Sequence, residues 1–219
     1  MPREARRART PRAALSTRTV YQLRITLLGV RPPIWRRVLV PPGESAEYLH
    51  DVIQRAMGWY DSHLHQFLLG ERPNYISVEP PDPENERDHP TMDSRRIPIR
   101  ALLQRGGGRV LYNYDFGDGW MHEVRLEKEV PLEKDAFLPQ CLEGRRACPP
   151  EDCGGIYGYA DIVRMLKDPK FEPESSSREE LLEWLGDEFD PEAFDMEAVN
   201  DQFRPSKKAG AKSRSRRNA

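Results

Sequence analysis

Residues 21–28 read Tyr21-Gln-Leu-Arg-Ile-Thr-Leu-Leu28, and Tyr21, Leu23, Ile25 and Leu27 fall on one face of an alternating pattern. Side chains of an extended chain point to opposite faces in turn, so this alternation predicts a half-buried strand. Gly29 to Pro33 breaks it, and Ile34–Val40 reads as a second strand, ended by Pro41-Pro42-Gly43. The pair is expected to form an antiparallel hairpin with a longer loop. Ser45 can accept from the first free amides of a following helix. There Leu49, Val52, Ile53, Ala56 and Met57 recur at helical spacing, up to Gly58. A third strand is expected over His63–Leu69, with His63, His65, Phe67 and Leu69 on one face.

Working outward, a short strand is expected near Tyr75–Val78, then a polar surface loop over 79–96 carrying Pro80, Pro81, Pro83 and Pro90. Ile97–Leu103 predicts a short helix opened by Pro98 and stopped by Gly106–Gly108. Val110–Asp115 and Trp120–Val130 predict a second hairpin, because Asp118-Gly119 supplies the positive backbone angles that tight turns need. The C-terminal part changes to helical spacing. Tyr159, Ile162, Val163 and Leu166 mark one helix, and Ser177 with Glu180 forms a capping box for a second carrying Leu181, Trp184 and Leu185. Asp190-Pro191 is expected to open a third, with Met196, Val199 and Phe203 on one face. Early strands followed by late helices predict an α+β fold with an antiparallel sheet. Its opening order of strand, strand, helix, strand is also that of a β-grasp.

Charge divides the chain. Residues 1–19 carry six basic residues and one acid, and residues 204–219 carry seven basic residues and no acid. The remaining body, 20–203, holds 21 basic and 35 acidic residues, a net charge of −14. The expected organisation is therefore a basic tail at 1–18, one domain at 19–203 and a basic tail at 204–219. Both tails lack apolar periodicity and are expected to be disordered. Such tails can hold nucleic acid by neutralising phosphates and releasing counterions, or simply remain solvated. No run approaches the roughly 18 apolar residues of a membrane span, so no membrane partner is expected. The basic N-terminus lacks an apolar signal core, which points to a cytoplasmic protein.

The three cysteines are an odd number and cannot all pair, so thiols or metal ligands are expected rather than a disulfide framework. Cys141, Cys148 and Cys153 surround a turn rich in proline and glycine. Zinc favours sulfur and nitrogen donors in a tetrahedron, so a fourth ligand would be an imidazole, with His122, His63 and His65 as the candidates. The spacing lacks the two-residue knuckle of zinc ribbons, and three reduced structural thiols are the plainer alternative. A second constellation comprises His63, His65, Asp115, Asp118 and His122, imidazoles and carboxylates that neighbouring strands could bring together for metal binding or acid–base work. Turn chemistry already accounts for Asp118-Gly119, and Asp115 could cap the same turn. Asp115-Phe116-Gly117 spells a kinase magnesium motif without the kinase's other parts, and Gly106-Gly107-Gly108 is not followed by a phosphate-loop lysine. No serine has the setting of a hydrolase nucleophile.

Several stretches together resemble a known family. They are Tyr21-Gln-Leu-Arg-Ile25, Pro32-Pro-Ile-Trp-Arg-Arg37, Leu49-His50, Gly58-Trp59 and His63-Leu-His-Gln-Phe67. Tyr112-Asn-Tyr-Asp-Phe-Gly-Asp-Gly-Trp-Met-His122 and Ala147-Cys-Pro-Pro-Glu-Asp-Cys-Gly-Gly155 are the longest. Trp184, Phe189-Asp-Pro-Glu-Ala-Phe-Asp195 and Val199-Asn200 extend the match. The chain resembles the family named after an open reading frame of plasmid pRiA4b, also described as passenger proteins of an insertion element. The resemblance covers roughly residues 19–203. It implies an α+β domain of that extent and a tie to mobile elements or bacterial genomes, and it implies no settled activity. Recombinase activity is not carried over, because no active serine with clustered arginines is present. The expectation is an accessory or binding domain, non-enzymatic, with a structural zinc site. The alternatives are a metal-dependent hydrolase or nuclease, and a nucleic-acid-associated protein acting through its tails.

Overall fold

The computed structural model describes residues 19–204 apart from 71–72, 83–87, 135, 174–175 and 187–188. Strands β1 (Thr19–Leu27) and β2 (Trp35–Val40) pair antiparallel, as the alternation of residues 21–28 predicts. Helix α1 (Ala46–Met57) follows, with the Ser45 hydroxyl accepting from Tyr48 N at 3.1 Å. It ends at Gly58, whose φ of 87° lets the chain turn away with both Gly58 N and Trp59 N donating to the Gln54 carbonyl. Strands β3 (His65–Leu69), β4 (Ile76–Glu79) and β5 (Thr91–Asp93) come next, then α2 (Ile99–Arg105). The hairpin β6 (Arg109–Tyr114) and β7 (Trp120–Pro131) turns at Phe116–Gly119, the Asp-Gly site. Strand β8 (Gln140–Arg145) and helices α3 (Gly155–Lys167), α4 (Arg178–Leu185) and α5 (Met196–Phe203) complete the chain.

All eight strands form one sheet in the order β5-β4-β3-β6-β7-β1-β2-β8. Every pairing is antiparallel except β4 with β5. The architecture is α+β. Helix α1 lays its stripe of Leu49, Val52, Ile53, Ala56 and Met57 into one core with Leu23, Ile25, Val38, Phe67, Tyr112, Tyr114 and Trp120. Each such aliphatic side chain, fully buried, stabilises the fold by about 1.5–3 kcal/mol relative to exposure. That core fixes the orientation of α1 against the sheet, and so decides what its flanking polar residues face.

Three elements differ from the sequence reading. Residues 79–96, expected as loop, contain β5 and a 3-10 turn at Ser94–Arg96, with Thr91, Met92 and Asp93 pairing parallel to Ser77, Val78 and Glu79. A strand of three residues is too short for alternation to announce it. Strand β8 lies on the outer side of β2 and carries Cys141, so the first thiol is in the sheet rather than in a loop. Helix α5 starts at Met196 rather than at Asp190-Pro191. The Asp190 carboxylate instead closes a local turn onto Glu192 N, and Asp195 caps the helix through Glu197 N and Ala198 N. From α5, the Asn200 amide accepts from Cys141 N at 2.8 Å and donates to Cys141 O at 3.0 Å. One side chain thereby imitates a strand partner on the sheet edge and blunts it.

The basic tails at 1–18 and 204–219 lie, but for Arg204, outside the described residues. Among the described residues no helix is long and apolar enough to cross a membrane.

Candidate metal centre

Helix α1 carries two buried polar residues beside its apolar stripe, His50 and Gln54, one helical turn apart. Strand β3 opens with His65, and its ring stacks on that of His50 with centroids 3.4 Å apart and planes 7° from parallel. Both imidazoles are buried. Burial lowers the pKa of each, and the neighbouring His50 lowers that of His65 further, against the attraction of Glu47 and Asp61. Two stacked imidazolium rings would also repel without water to screen them, so burial and stacking together favour the neutral form of the rings. A neutral imidazole keeps one nitrogen lone pair and is the form that ligates metals.

Hydrogen bonds fix these rings. The Tyr112 hydroxyl lies 2.8 Å from His50 Nδ1 and accepts from Gln54 Nε2 at 3.0 Å. Gln54 Oε1 accepts from Asp61 N at 3.1 Å, so one amide side chain positions both the tyrosine and the aspartate. Asp61 Oδ1 then stands 2.9 Å from His50 Nε2. His65 Nε2 has no hydrogen-bond partner, with Glu47 Oε2 standing 3.5 Å away. One donor atom from each of His50, Asp61 and His65 lies within 4.8 Å of the other two. Ligands on a tetrahedral ion with bonds near 2.1 Å sit roughly 3.4 Å apart, so a divalent cation there would widen the 2.9 Å His50–Asp61 contact and replace its proton. The group opens on a cavity of about 400 Å³, whose walls include Glu47, His63, Leu64, Pro80 and Pro81.

A second group lies beside the first. His63 Nε2 is 3.1 Å from Asp152 Oδ1 and 3.8 Å from Asp115 Oδ2. Asp115 also caps its own turn, its Oδ1 accepting from Gly117 N and Asp118 N. Asp118, expected beside His63, instead accepts from Gly154 N through Oδ2 and so ties the hairpin turn to the segment 151–155.

The remaining site candidates are placed elsewhere. His122 is fully buried on β7, its Nδ1 3.0 Å from Trp120 O and its ring edge-on to Trp59. Burial pushes its pKa down to about 4. Cys141 is buried in β8, while Cys148 and Cys153 are partly buried, and all three are free thiols. Burial raises the pKa of each thiol, that of Cys153 to about 12. The buried Arg36 guanidinium acts electrostatically on Cys141 and Cys148. It donates to the carbonyls of Ala56, Trp35 and Arg145 and lies over the Phe194 ring. Among the described residues, the three thiols and His122 belong to neither of the groups that gather three metal donors.

Of the residues singled out from sequence, His65 falls in the first group and His63 with Asp115 in the second. His50, Asp61, Glu47 and Asp152 were not singled out. A signal for His50 existed: it and Gln54 are polar residues one turn apart on the border of an apolar stripe. Asp61 follows a helix-stop glycine and Asp152 sits among the cysteines, and nothing local distinguishes either from an ordinary loop aspartate.

Comparison with known proteins bears on the whole domain. The model of the plasmid pRiA4b ORF-3-like protein family matches residues 19–198. The uncharacterized protein y4hQ of Sinorhizobium fredii is 37% identical over 184 residues, which cover 83% of this chain and 89% of that protein. A solved structure, described as a protein of unknown function, MM3350, from Methanosarcina mazei Go1, superposes with a TM-score of 0.72 at 36% identity. That likeness covers 83% of this chain and 96% of the other.

Proposed function

This chain belongs to the plasmid pRiA4b ORF-3-like family, and we propose that it binds a divalent transition metal through His50, His65 and Asp61 on the wall of the cleft. The carrying observation is the convergence of two buried imidazoles and a carboxylate at a cavity, with one imidazole nitrogen left without a hydrogen bond. Two nitrogens and one oxygen suit borderline ions such as Zn²⁺ and Fe²⁺. Three protein ligands beside a cavity leave room for a further ligand, the arrangement of catalytic rather than closed structural metal sites. The reading is therefore a metal-dependent enzyme of the hydrolytic class, with Glu47 at the rim as the nearest acid–base group. Tyr112 and Gln54 have the role of supporting groups that orient a ligand through its other nitrogen.

The test is titration of metal-stripped protein with Zn²⁺ by calorimetry, alongside His50→Ala and His65→Ala. Saturable binding of one equivalent in the wild type, weakened about 100-fold or more in either variant, is the expected result. Unchanged binding in both folded variants would overturn the assignment. A separate role for the basic tails in holding nucleic acid would appear as DNA binding that falls with salt and vanishes when both tails are removed.

A further inference from the structure

We propose a second metal site at His63, Asp115 and Asp152, harder in character than the first and selective for Mn²⁺ or a similar oxygen-preferring ion. It uses none of the first site's ligands. One donor atom from each of its residues lies within 4.8 Å of the other two. The His63 Nε2 atom is shielded from solvent and has no hydrogen bond, although two carboxylates face it at 3.1 and 3.8 Å. An ion held between these groups would use that nitrogen and both facing oxygens together. One imidazole with two carboxylates shifts preference from zinc towards manganese, because carboxylate oxygens are harder ligands.

The three donors come from three segments, and each segment is fastened to the others by bonds that do not involve the donors' own side chains. Asp115 N donates to Leu64 O at 2.9 Å, setting the turn after β6 against the residue next to His63 in the chain. Ser62 N donates to the Tyr114 hydroxyl at 2.9 Å, and Tyr114 also bonds Glu151. Tyr60 N donates to Glu151 Oε2 at 3.0 Å, holding the segment of Asp152 to the segment of His63. Gly155 closes the remaining gap. A Cβ there would meet Asp118 O at 2.5 Å, so the backbone packs directly on the hairpin turn. The His63 ring is oriented edge-on by Tyr114, 5.8 Å away at 72°. Such locking is what a preorganised ligand set needs.

Backbone conformation concentrates at the same aspartates. The described non-glycine residues with positive φ are Asp61 at 59°, Asp115 at 56°, Asp152 at 59° and Arg146 at 67°. Three of these four are the carboxylates of the two proposed sites. Aspartate tolerates the left-handed region better than most residues, because its short side chain can hydrogen-bond locally, as Asp115 does by accepting from Gly117 N and Asp118 N.

The experiment loads the full chain with one equivalent of Zn²⁺, then titrates Mn²⁺ and reads free Mn²⁺ by its electron paramagnetic resonance signal. The wild type is expected to take up one equivalent of Mn²⁺. Asp152→Asn and His63→Gln are expected to weaken that uptake tenfold or more while retaining the zinc equivalent and the wild-type melting temperature. Asp152 is exposed, so its substitution leaves the core intact. No uptake of Mn²⁺ by the wild type up to millimolar concentration, or uptake unchanged in both variants, would overturn the second site. Loss of the zinc equivalent in His50→Ala reports separately on the first site, so either can fail alone.

Discussion

The cleft beside α1 and the surroundings of Arg36, whose charge acts on Cys141 and Cys148, both hold residues of metal-ligating type, and burial acts on them in opposite ways. In the cleft, burial lowers the pKa of His50 and His65 and so favours the neutral, ligating form of each ring, with His50 Nε2 against the Asp61 carboxylate and both rings lining the cavity. Around Arg36, burial does the reverse to sulfur, favouring the protonated thiol that does not ligate. Without a metal ion present, the same physical effect, loss of solvent, shifts an imidazole towards its ligating form and a thiol away from it. Arg36 adds a positive charge that acts on Cys141 and Cys148 and would repel a cation placed beside them. The segment 147–155 nevertheless contributes to the cleft's surroundings, through Glu151, Asp152 and the Pro149 carbonyl, which accepts from the Trp59 indole at 2.9 Å.

The largest expected effect breaks the comparison at its buried histidine. His122 belongs to the core, with a folded pKa of about 4 against an ordinary value of 6.5. Its unfolded form therefore takes up a proton first as pH falls. The stability it confers is complete above pH 6.5 and is lost on descending towards pH 4, about 3 kcal/mol in all. Urea unfolding at pH 7.5 and 4.5 should show most of that additional loss in the wild type compared with His122→Phe. Equal losses would place His122 outside the core role. Next comes the first proposed metal site, where His65→Ala should cost about 100-fold in zinc affinity, or roughly 2.7 kcal/mol. Tyr112→Phe removes the hydroxyl between Gln54 and His50 and should cost about 10-fold, measured by the same calorimetry. The smallest effect sharpens the contrast: Cys153→Ser should leave zinc affinity within about twofold of wild type, since the thiol is no ligand of the cleft. A tenfold loss there would return the cysteines to the metal site.

Most of the sheet was legible because alternation has a single reading on a half-buried strand, as at Tyr21 to Leu27 and Tyr112 with Tyr114. Helix α1 was equally plain, from the Ser45 cap to the Gly58 stop. Strand β5 escaped because three residues carry no period, and the start of α5 was misplaced because Asp190 and Asp195 offer the same capping oxygen. The site was half legible. His63, His65 and Asp115 stood out as chemistry-bearing types, whereas His50 looked like part of a helix face and Asp152 like a neighbour of more conspicuous cysteines.

By itself, the sequence determined most of the elements, the α+β class, the family and the separation of basic tails from an acidic body, since these rest on local periodicity, turn chemistry, motif order and charge. Tertiary structure alone decided which donors meet. Packing α1 against the sheet stacks His50 on His65, and the fastening of three loops through Glu151, Tyr114 and Gly155 aims Asp115 and Asp152 at His63. These encounters join residues far apart in the chain, and only the shape of the shared core sets their distances.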